Sequence, residues 1–415
     1  MLELIKLYLI NIWKIKCDLK NDIEKEEVIS MNICSSTWAE INLENIKYNV
    51  DNVKNSIGND TKLCCVIKAD AYGHGAVEVA KYLDKEENVD FFSVARLEEG
   101  LELTKANIKT PILCMGYTDK NKIKFALENG IRLTVYSLDY AKEISKVATE
   151  MNKKAYIHIK IDTGMSRIGF LVNENSIEDI KKIFDLENVI IEGMYTHFAK
   201  SDEKDKNPTY EQIRKYNLVA EELNKSNLNI PIKHVSNSAA ILDLRECDFN
   251  MVRLGISLYG LYPSDEVKRD IKLKPALELK TRISNIKTIA KGTSVSYAGT
   301  YTAKDDVKIA TLPVGYADGF PRTQKNPQVL INNRLLNIVG RICMDQCMVE
   351  IPQDLDVNIE DEVVLIGDAD GVRIGDVSGK INTIDHEVLC CITKRVDRVY
   401  ITENDKFVKD SIFAI

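Results

Sequence analysis

The sequence has no CxxC pair and no His/Cys/Asp cluster at metal-ligand spacing, so no required metal is expected. It has no GxSxG and no P-loop text, which sets aside the serine-hydrolase elbow and the Walker-type phosphate cradle. It has no basic stripe and no acidic tail. The net charge of −7 is spread in both signs along the chain, which argues against nucleic acid as a partner. Its early apolar stretch, Met1 to Trp13, is broken by Glu3 and Lys6 and falls short of the roughly 20 residues a spanning helix needs. That stretch also lacks a basic start and a small-residue cleavage site, so it is a poor signal peptide and no membrane partner is expected. Lys14 to Glu27 is dense in charge. Residues 1–35 read as a poorly matched N-terminal extension, amphipathic or disordered; the favoured alternative is that Met31 is the true start of the chain.

What is present is a soluble globular balance, with 45% hydrophobic and 29% charged residues among 415. The ten cysteines include adjacent pairs, Cys64-Cys65 and Cys390-Cys391, and Cys343 and Cys347 four apart. They read as reduced, buried thiols in a cytoplasmic protein. From Thr37 to Leu273 short apolar runs alternate with amphipathic ones. Strands are predicted at Leu63-Lys68, Phe91-Val94, Pro111-Met115, Arg132-Val135, Ala155-Lys160, Val189-Thr196, Lys233-Ser236 and Met251-Gly255. Helices are predicted at Ala76-Asp84, Leu97-Lys105, Lys120-Glu128, Leu138-Met151 and Tyr210-Lys225. Eight strands alternating with helices predict an α/β domain, an N-terminal (β/α)8 TIM-like barrel over residues 36–274.

After Leu273 the pattern changes. Leu277-Ile289, Val307-Pro313, Gln328-Ile331, Leu335-Val339, Cys347-Ile351 and Glu362-Ile366 read as strands, with Asn332-Asn333 as a hairpin turn. A C-terminal mainly β domain over residues 275–415 is expected.

The first predicted barrel strand ends on Lys68, within VIKADAYGHG. Side chains at the C-terminal ends of barrel strands face the active site. A desolvated lysine there has a lowered pKa and a usable amine; the alternative is a surface lysine at a strand end. Among the histidines, His74 is expected to bond locally, His158 to lie in the core, and His234 to be a strand residue near an anion loop.

VIKADAYGHG resembles the pyridoxal-phosphate attachment site of the alanine racemase family. The resemblance continues in order with KIDTGMSRIGF, YTHFAKSD, HVSNSAA, VRLGISLYG, SVSYAGTYTA, VGYADGFPR and GRICMDQCM, from about Thr37 to Tyr400. It implies a barrel followed by a β domain, pyridoxal 5'-phosphate as cofactor, and a homodimer whose active sites are each completed by the partner's β domain. It implies that Lys68 holds the cofactor and is the base on one face of the substrate α-carbon. Tyr297 would be the base on the other face. Racemisation needs two such groups, because one proton leaves as another arrives opposite. A tyrosine serves only where cationic surroundings stabilise its phenolate.

The resemblance further places Arg253 against the pyridine nitrogen. A guanidinium cannot accept a proton, so the nitrogen stays unprotonated and the proton returns to the α-carbon, which suits racemisation. Tyr72, Ser238, Gly255 and Ile256 would bind the phosphate. Arg167 would contact the cofactor and the substrate carboxylate, and Met344 would offer that carboxylate a backbone N–H. His197 would sit near the cofactor and Arg253. Lys160 matches a lysine often carbamylated in the family. Asn237, Tyr316, Arg322 and Asp345 are expected at supporting or entrance positions. The implied reaction is interconversion of L- and D-alanine, with D-alanine supplying cell-wall peptidoglycan.

One match breaks. Where the family usually reads T-I-N-Y-E, this chain has Thr383-Ile384-Asp385-His386-Glu387. His386 replaces an entrance tyrosine that touches the phosphate. A smaller, hydrogen-bonding imidazole predicts a wider or more polar entrance and better competition by serine or another small polar amino acid. Leu254 in place of the family's usual proline is expected to matter little. Two rivals remain. A non-catalytic cofactor-homeostasis protein would lack the β domain with Tyr297 and Met344. A barrel decarboxylase would place a carboxylate where Arg253 stands.

Overall fold

The structure, a computed structural model, describes residues 35–86, 88–403 and 405–409. Residues 1–34 of the N-terminal extension, with the proposed start at Met31, lie outside the described residues. The chain divides into two compact units. One is Leu43–Ala276; the other joins the residues up to Asn42 with those from Leu277 onward.

The first described strand is β1 (Thr37–Asn42). The Leu43–Ala276 unit then contributes β2 (Lys62–Val66), β3 (Phe91–Val94), β4 (Ile112–Cys114), β5 (Arg132–Val135), β6 (Ala155–Asp162), the two-residue β7 (Phe170–Leu171), β8 (Val189–Tyr195), β9 (Ile232–His234) and β10 (Met251–Leu254). Eight of these run parallel in the order β10-β2-β3-β4-β5-β6-β8-β9, with β7 set against β6. The Arg253 N–H reaches the carbonyl of Ser236, just past β9, at 3.0 Å, linking the first strand in this order to the last. This near-closed barrel is the expected α/β architecture. Its strands are mostly apolar and largely buried, as suits strands covered on both faces, with His158, Lys160, His234 and Arg253 as buried polar exceptions. The helices between them bury one stripe each: in Ala76–Leu83 it is Ala76, Val79, Ala80 and Leu83.

The other unit is mainly β, as expected. It contains β11 (Leu277–Arg282), β12 (Asn285–Ile289), β13 (Ser294–Val295), β14 (Tyr301–Thr302), β15 (Val307–Leu312), β16 (Gln328–Ile331), β17 (Arg334–Val339), β18 (Cys347–Ile351), β19 (Glu362–Ile366), β20 (Asp397–Ile401) and β21 (Lys406–Lys409). Its large sheet runs β12-β15-β18-β17-β16-β19-β11-β1-β20-β21. Asn332 and Asn333, both at positive φ, turn β16 into β17. Two helices, Ile374–Ile381 and Asp385–Cys391, precede β20.

Cys390 and Cys391 are exposed, unlike the buried thiols expected, because they lie on the outer side of a short helix. Two expectations about strands also differ from this structure. The barrel reading began at residue 36, yet β1 lies inside the β sheet. It pairs antiparallel with β11 and parallel with β20. Its side chains are buried from Thr37 to Ile41, so it is an internal strand of that sheet. The predicted strand Leu277-Ile289 is two strands. Fully buried Ile283 marks the bend between β11, which pairs with β19, and β12, which pairs with β15.

Candidate active site

Lys68 follows the end of β2 and is half-buried, with its ammonium 5.9 Å from the centre of the Tyr72 ring. The four residues after it, Ala69 to Tyr72, all have φ between 51° and 54°. A left-handed turn of non-glycine residues costs about 1–2 kcal/mol per residue, so something must hold it. Backbone bonds run from Ala71 N to Ile67 O, Gly73 N to Ala69 O and Gly75 N to Asp70 O, at 2.9 to 3.1 Å. The Asp70 carboxylate accepts from Ala76 N at 2.8 Å. His74 Nδ1 donates to the carbonyls of Ala71 and Tyr72, the local bonding expected of it. Tyr259 packs against both the Tyr72 and His74 rings and donates its hydroxyl to Val66 O. Strain of this kind concentrates where geometry matters.

Arg253 lies on β10 with 3% of its surface exposed. Its guanidinium donates to the carbonyls of His234, Thr196 and Val235 at 2.9 to 3.0 Å. It also donates to His234 Nδ1 at 3.0 Å and His197 Nδ1 at 3.4 Å. Because a guanidinium only donates, His234 must carry its proton on Nε2. That nitrogen faces His158 Nδ1 at 2.8 Å, and His158 Nε2 faces the Glu192 carboxylate at 3.1 Å. The chain ends on Arg132, whose Nε is 3.1 Å from Glu192. Burial, then the Arg253 charge, holds His234 and His197 well below the ordinary histidine range. Burial lowers His158 too, against the pull of Glu192. Neutral imidazoles in one tautomer are what this chain of bonds requires.

Lys160 on β6 is also 3% exposed, with its amine 5.0 Å from the centre of the Tyr195 ring. Burial first, then Arg253 and Arg167, bring its pKa down to about 7. Arg167 itself is exposed, on a loop after β6. Asp162 shapes that loop by accepting from Gly164 N and Ser166 N, both at 3.0 Å. Gln212 joins it to the His197 segment, donating to Thr163 Oγ1 and His197 O and accepting from Ala199 N.

Ser238 opens the helix Ser238–Asp243, which Asn237 caps by accepting from Ala240 N. The Ser238 hydroxyl accepts from Gly255 N at 2.9 Å and Ser257 N at 3.3 Å. A methyl group added at Gly255 would meet Ser238 Oγ and the Tyr72 hydroxyl, each at 3.4 Å. Two hydroxyls thus converge on bare backbone, a space suited to an anion that a side chain at position 255 would partly fill. Ile256, next in line, is buried.

The remaining residues lie in the β unit. Tyr297 is 67% exposed and Met344 52%. Ser296 before Tyr297 has φ 64° and ψ −175°, and Ala298 after it has φ 62°. The Ser296 hydroxyl donates to Arg341 O at 2.7 Å, fastening this turn to the Met344 loop. Tyr316 N donates to Cys343 O and Ala317 N to Met344 O, so the Tyr316 turn and the Met344 loop are bonded together. Arg395 bridges Asp318 and Asp345 at 3.4 and 2.9 Å. Arg322 is exposed, and His386 is half-buried on the helix Asp385–Cys391.

The structure thus brings Lys68 and Tyr72 together, and Ser238 with Gly255. It gathers Arg253 and Lys160 around Tyr195, with His197 bonded to Arg253. Sequence reading missed Glu192, Gln212, Tyr195 and the His158–His234 pairing. Only the alternation of His158 within an apolar strand hinted that its ring faced inward.

A parallel barrel with two hydroxyls converging on bare backbone past its strand ends, in a chain that also holds a mainly β unit, defines a two-unit α/β-plus-β class of protein. Residues 41–263 match the family described as "Alanine racemase, N-terminal domain" and residues 276–400 match "Alanine racemase, C-terminal domain". The chain belongs to the alanine racemase family. The alanine racemase of Clostridium novyi (strain NT) is 47% identical, over 90% of this chain and 97% of that one. The alanine racemase of Methanococcus maripaludis is 46% identical, over 88% and 98%. A solved structure of alanine racemase from Clostridium difficile 630 is similar with a TM-score of 0.88 at 49% identity, covering 91% of this chain and 99% of that one.

Proposed function

We propose that the protein is a pyridoxal-5'-phosphate-dependent racemase that interconverts L- and D-alanine in the cytoplasm, with D-alanine destined for peptidoglycan. The residues fit the cofactor. Ser238, Tyr72 and the Gly255 and Ile256 backbone form the phosphate cradle, and Arg253 offers donors alone where the ring nitrogen would lie. When bound, the cofactor draws electrons from the substrate and makes its α-proton removable.

Lys68 holds the cofactor and moves a proton at one face of the α-carbon. Tyr297, supplied by a second copy of the chain, moves a proton at the other. Arg253 donates without accepting, which favours return of the proton to the α-carbon. Arg167 and the Met344 N–H bind the substrate carboxylate. Asn237 shapes the start of the Ser238 helix; Tyr316, Arg322 and Asp345 line the entrance. Lys160, with a pKa near 7, has a neutral amine available to take up CO2 as a carbamate, and the negative group formed would lie beside Arg253 and Arg167.

The observation that carries this reading is the buried Arg253, on the strand before Gly255, fixed by the His234 ring and the carbonyls of Thr196, His234 and Val235. A decarboxylase would need a carboxylate there. A non-catalytic cofactor carrier would not need the β unit, which in this chain matches the family's C-terminal domain over residues 276–400.

The test follows α-proton exchange of L-alanine and L-serine in D2O with the parent, K68A and Y297F proteins. Exchange with formation of the D-enantiomer is expected in the parent, with losses of at least about 10²-fold in both variants. A parent that binds cofactor and exchanges neither amino acid would refute the reading. His386 favours a second preference, for serine. H386Y should then lower the serine-to-alanine rate ratio; an unchanged ratio removes His386 from the specificity argument.

A further inference from the structure

We propose that Glu99 is a positioning residue that sets Lys68 for its half of the proton exchange. The inference rests on the two-base reading above.

Glu99 is the third residue of the helix Leu97–Lys105 and is half-buried. One carboxylate oxygen accepts from Ala95 N at 2.7 Å and Arg96 N at 2.9 Å, which closes the start of its own helix. The other accepts from Ala69 N at 2.7 Å. Ala69 follows Lys68 and is the first of the four left-handed residues. The backbone bonds along that turn come from residues 67 to 75 themselves. Glu99 braces it from outside, from the helix after β3.

The bond acts on one peptide plane. The N–H of Ala69 belongs to the peptide that joins Lys68 to Ala69. Holding that plane fixes ψ of Lys68, and with it the direction in which the side chain leaves the strand end. A carboxylate is suited to the task. It receives three N–H donors and presents no hydrogen of its own, and bonds to an ionised acceptor are the stronger kind. Its neighbour Glu98 on the same helix turns outward to Lys122 instead.

Proton transfer depends steeply on placement, with about 1 Å of misplacement costing roughly 10²-fold. Loosening Glu99 should therefore slow the step that Lys68 performs and leave the Tyr297 step alone. The two enantiomers have equal free energy, so kcat/KM must fall equally in both directions. The imbalance appears in isotope effects. With α-deuterated substrate, the effect should grow for the enantiomer whose proton Lys68 removes and shrink for the other.

The experiment compares the parent holoenzyme with E99D, E99Q and E98Q. E99D keeps the charge that closes the helix but is one methylene too short to reach Ala69 as well. E99Q has one acceptor oxygen and cannot serve both sides. Both should fold with far-ultraviolet spectra like the parent's. The Ala69 amide should exchange hydrogen faster, kcat/KM should fall about tenfold, and the isotope effects should diverge between enantiomers. E98Q should match the parent. If E99Q does not fold, E99D carries the test. Isotope effects that stay in the parent's ratio while Ala69 exchange rises would overturn the proposal and leave Glu99 a helix cap. So would an E98Q loss as large as that of E99D. Failure of the two-base reading looks different: Y297F would then retain parental exchange, whatever Glu99 does.

Discussion

Asp248 has one carboxylate oxygen buried without a hydrogen-bond partner. Burial lifts its pKa to about 6, against the lowering effects of Ser236 and Arg245. Its folded value lies above its unfolded one, so the native state holds the proton more tightly. The stability this contributes is complete below about pH 4 and is lost as pH rises through about 6. At neutral pH the charged carboxylate therefore weakens the fold. D248N should stabilise the protein by up to about 3 kcal/mol at pH 8, at 1.36 kcal/mol per pKa unit, and by about half as much at pH 5. Urea unfolding at the two pH values checks this; a gain equal at both would show that charge is not the cause. Nothing in the sequence marked Asp248, because its strain comes from neighbours that only the fold assembles. Arg253 is the opposite case. Its place was legible from VRLG and its flanking motifs, while its partners Thr196 and His234 were not, being set by strand order.

Strand and helix positions in the barrel were legible because their periodicities are clean. The helix Leu97–Lys105 and the strands Phe91–Val94 and Arg132–Val135 stand where they were expected. The strand β1 was assigned to the wrong unit because apolar alternation reveals a buried strand but not its neighbours. The left-handed turn after Lys68 was hidden for another reason. Ala69, Ala71 and Tyr72 are residues that carry no signal for positive φ, and only Gly73 and Gly75 hint at an unusual chain path. The turn makes its own prediction. Ala69 is exposed with φ 52°, so glycine there relieves steric strain while adding freedom to the unfolded chain. The two effects leave A69G unchanged or stabilised by up to about 1 kcal/mol, although Ala-to-Gly changes in right-handed helices cost about that much. Thermal unfolding decides it, and a clear drop in stability would mean the turn relaxes once Ala69 changes.

The largest scale concerns what one chain can do alone. Tyr297, Tyr316 and Met344 are large apolar side chains left 42–67% exposed, all in the β unit. Lys68, Arg253, Ser238 and Gly255 all lie in the other. If the β unit of one copy completes the barrel of a second, two inactive variants can rescue each other. A K68A chain still offers Tyr297, and a Y297F chain still offers Lys68. Mixed in equal amounts and allowed to reassort, half the dimers are hybrids, and each hybrid has one intact site and one doubly damaged site. Recovery of roughly a quarter of the parental activity is then expected from two proteins that show almost none separately. If each site were built within a single chain, no pairing would restore it, and the mixture would stay as inactive as its parts.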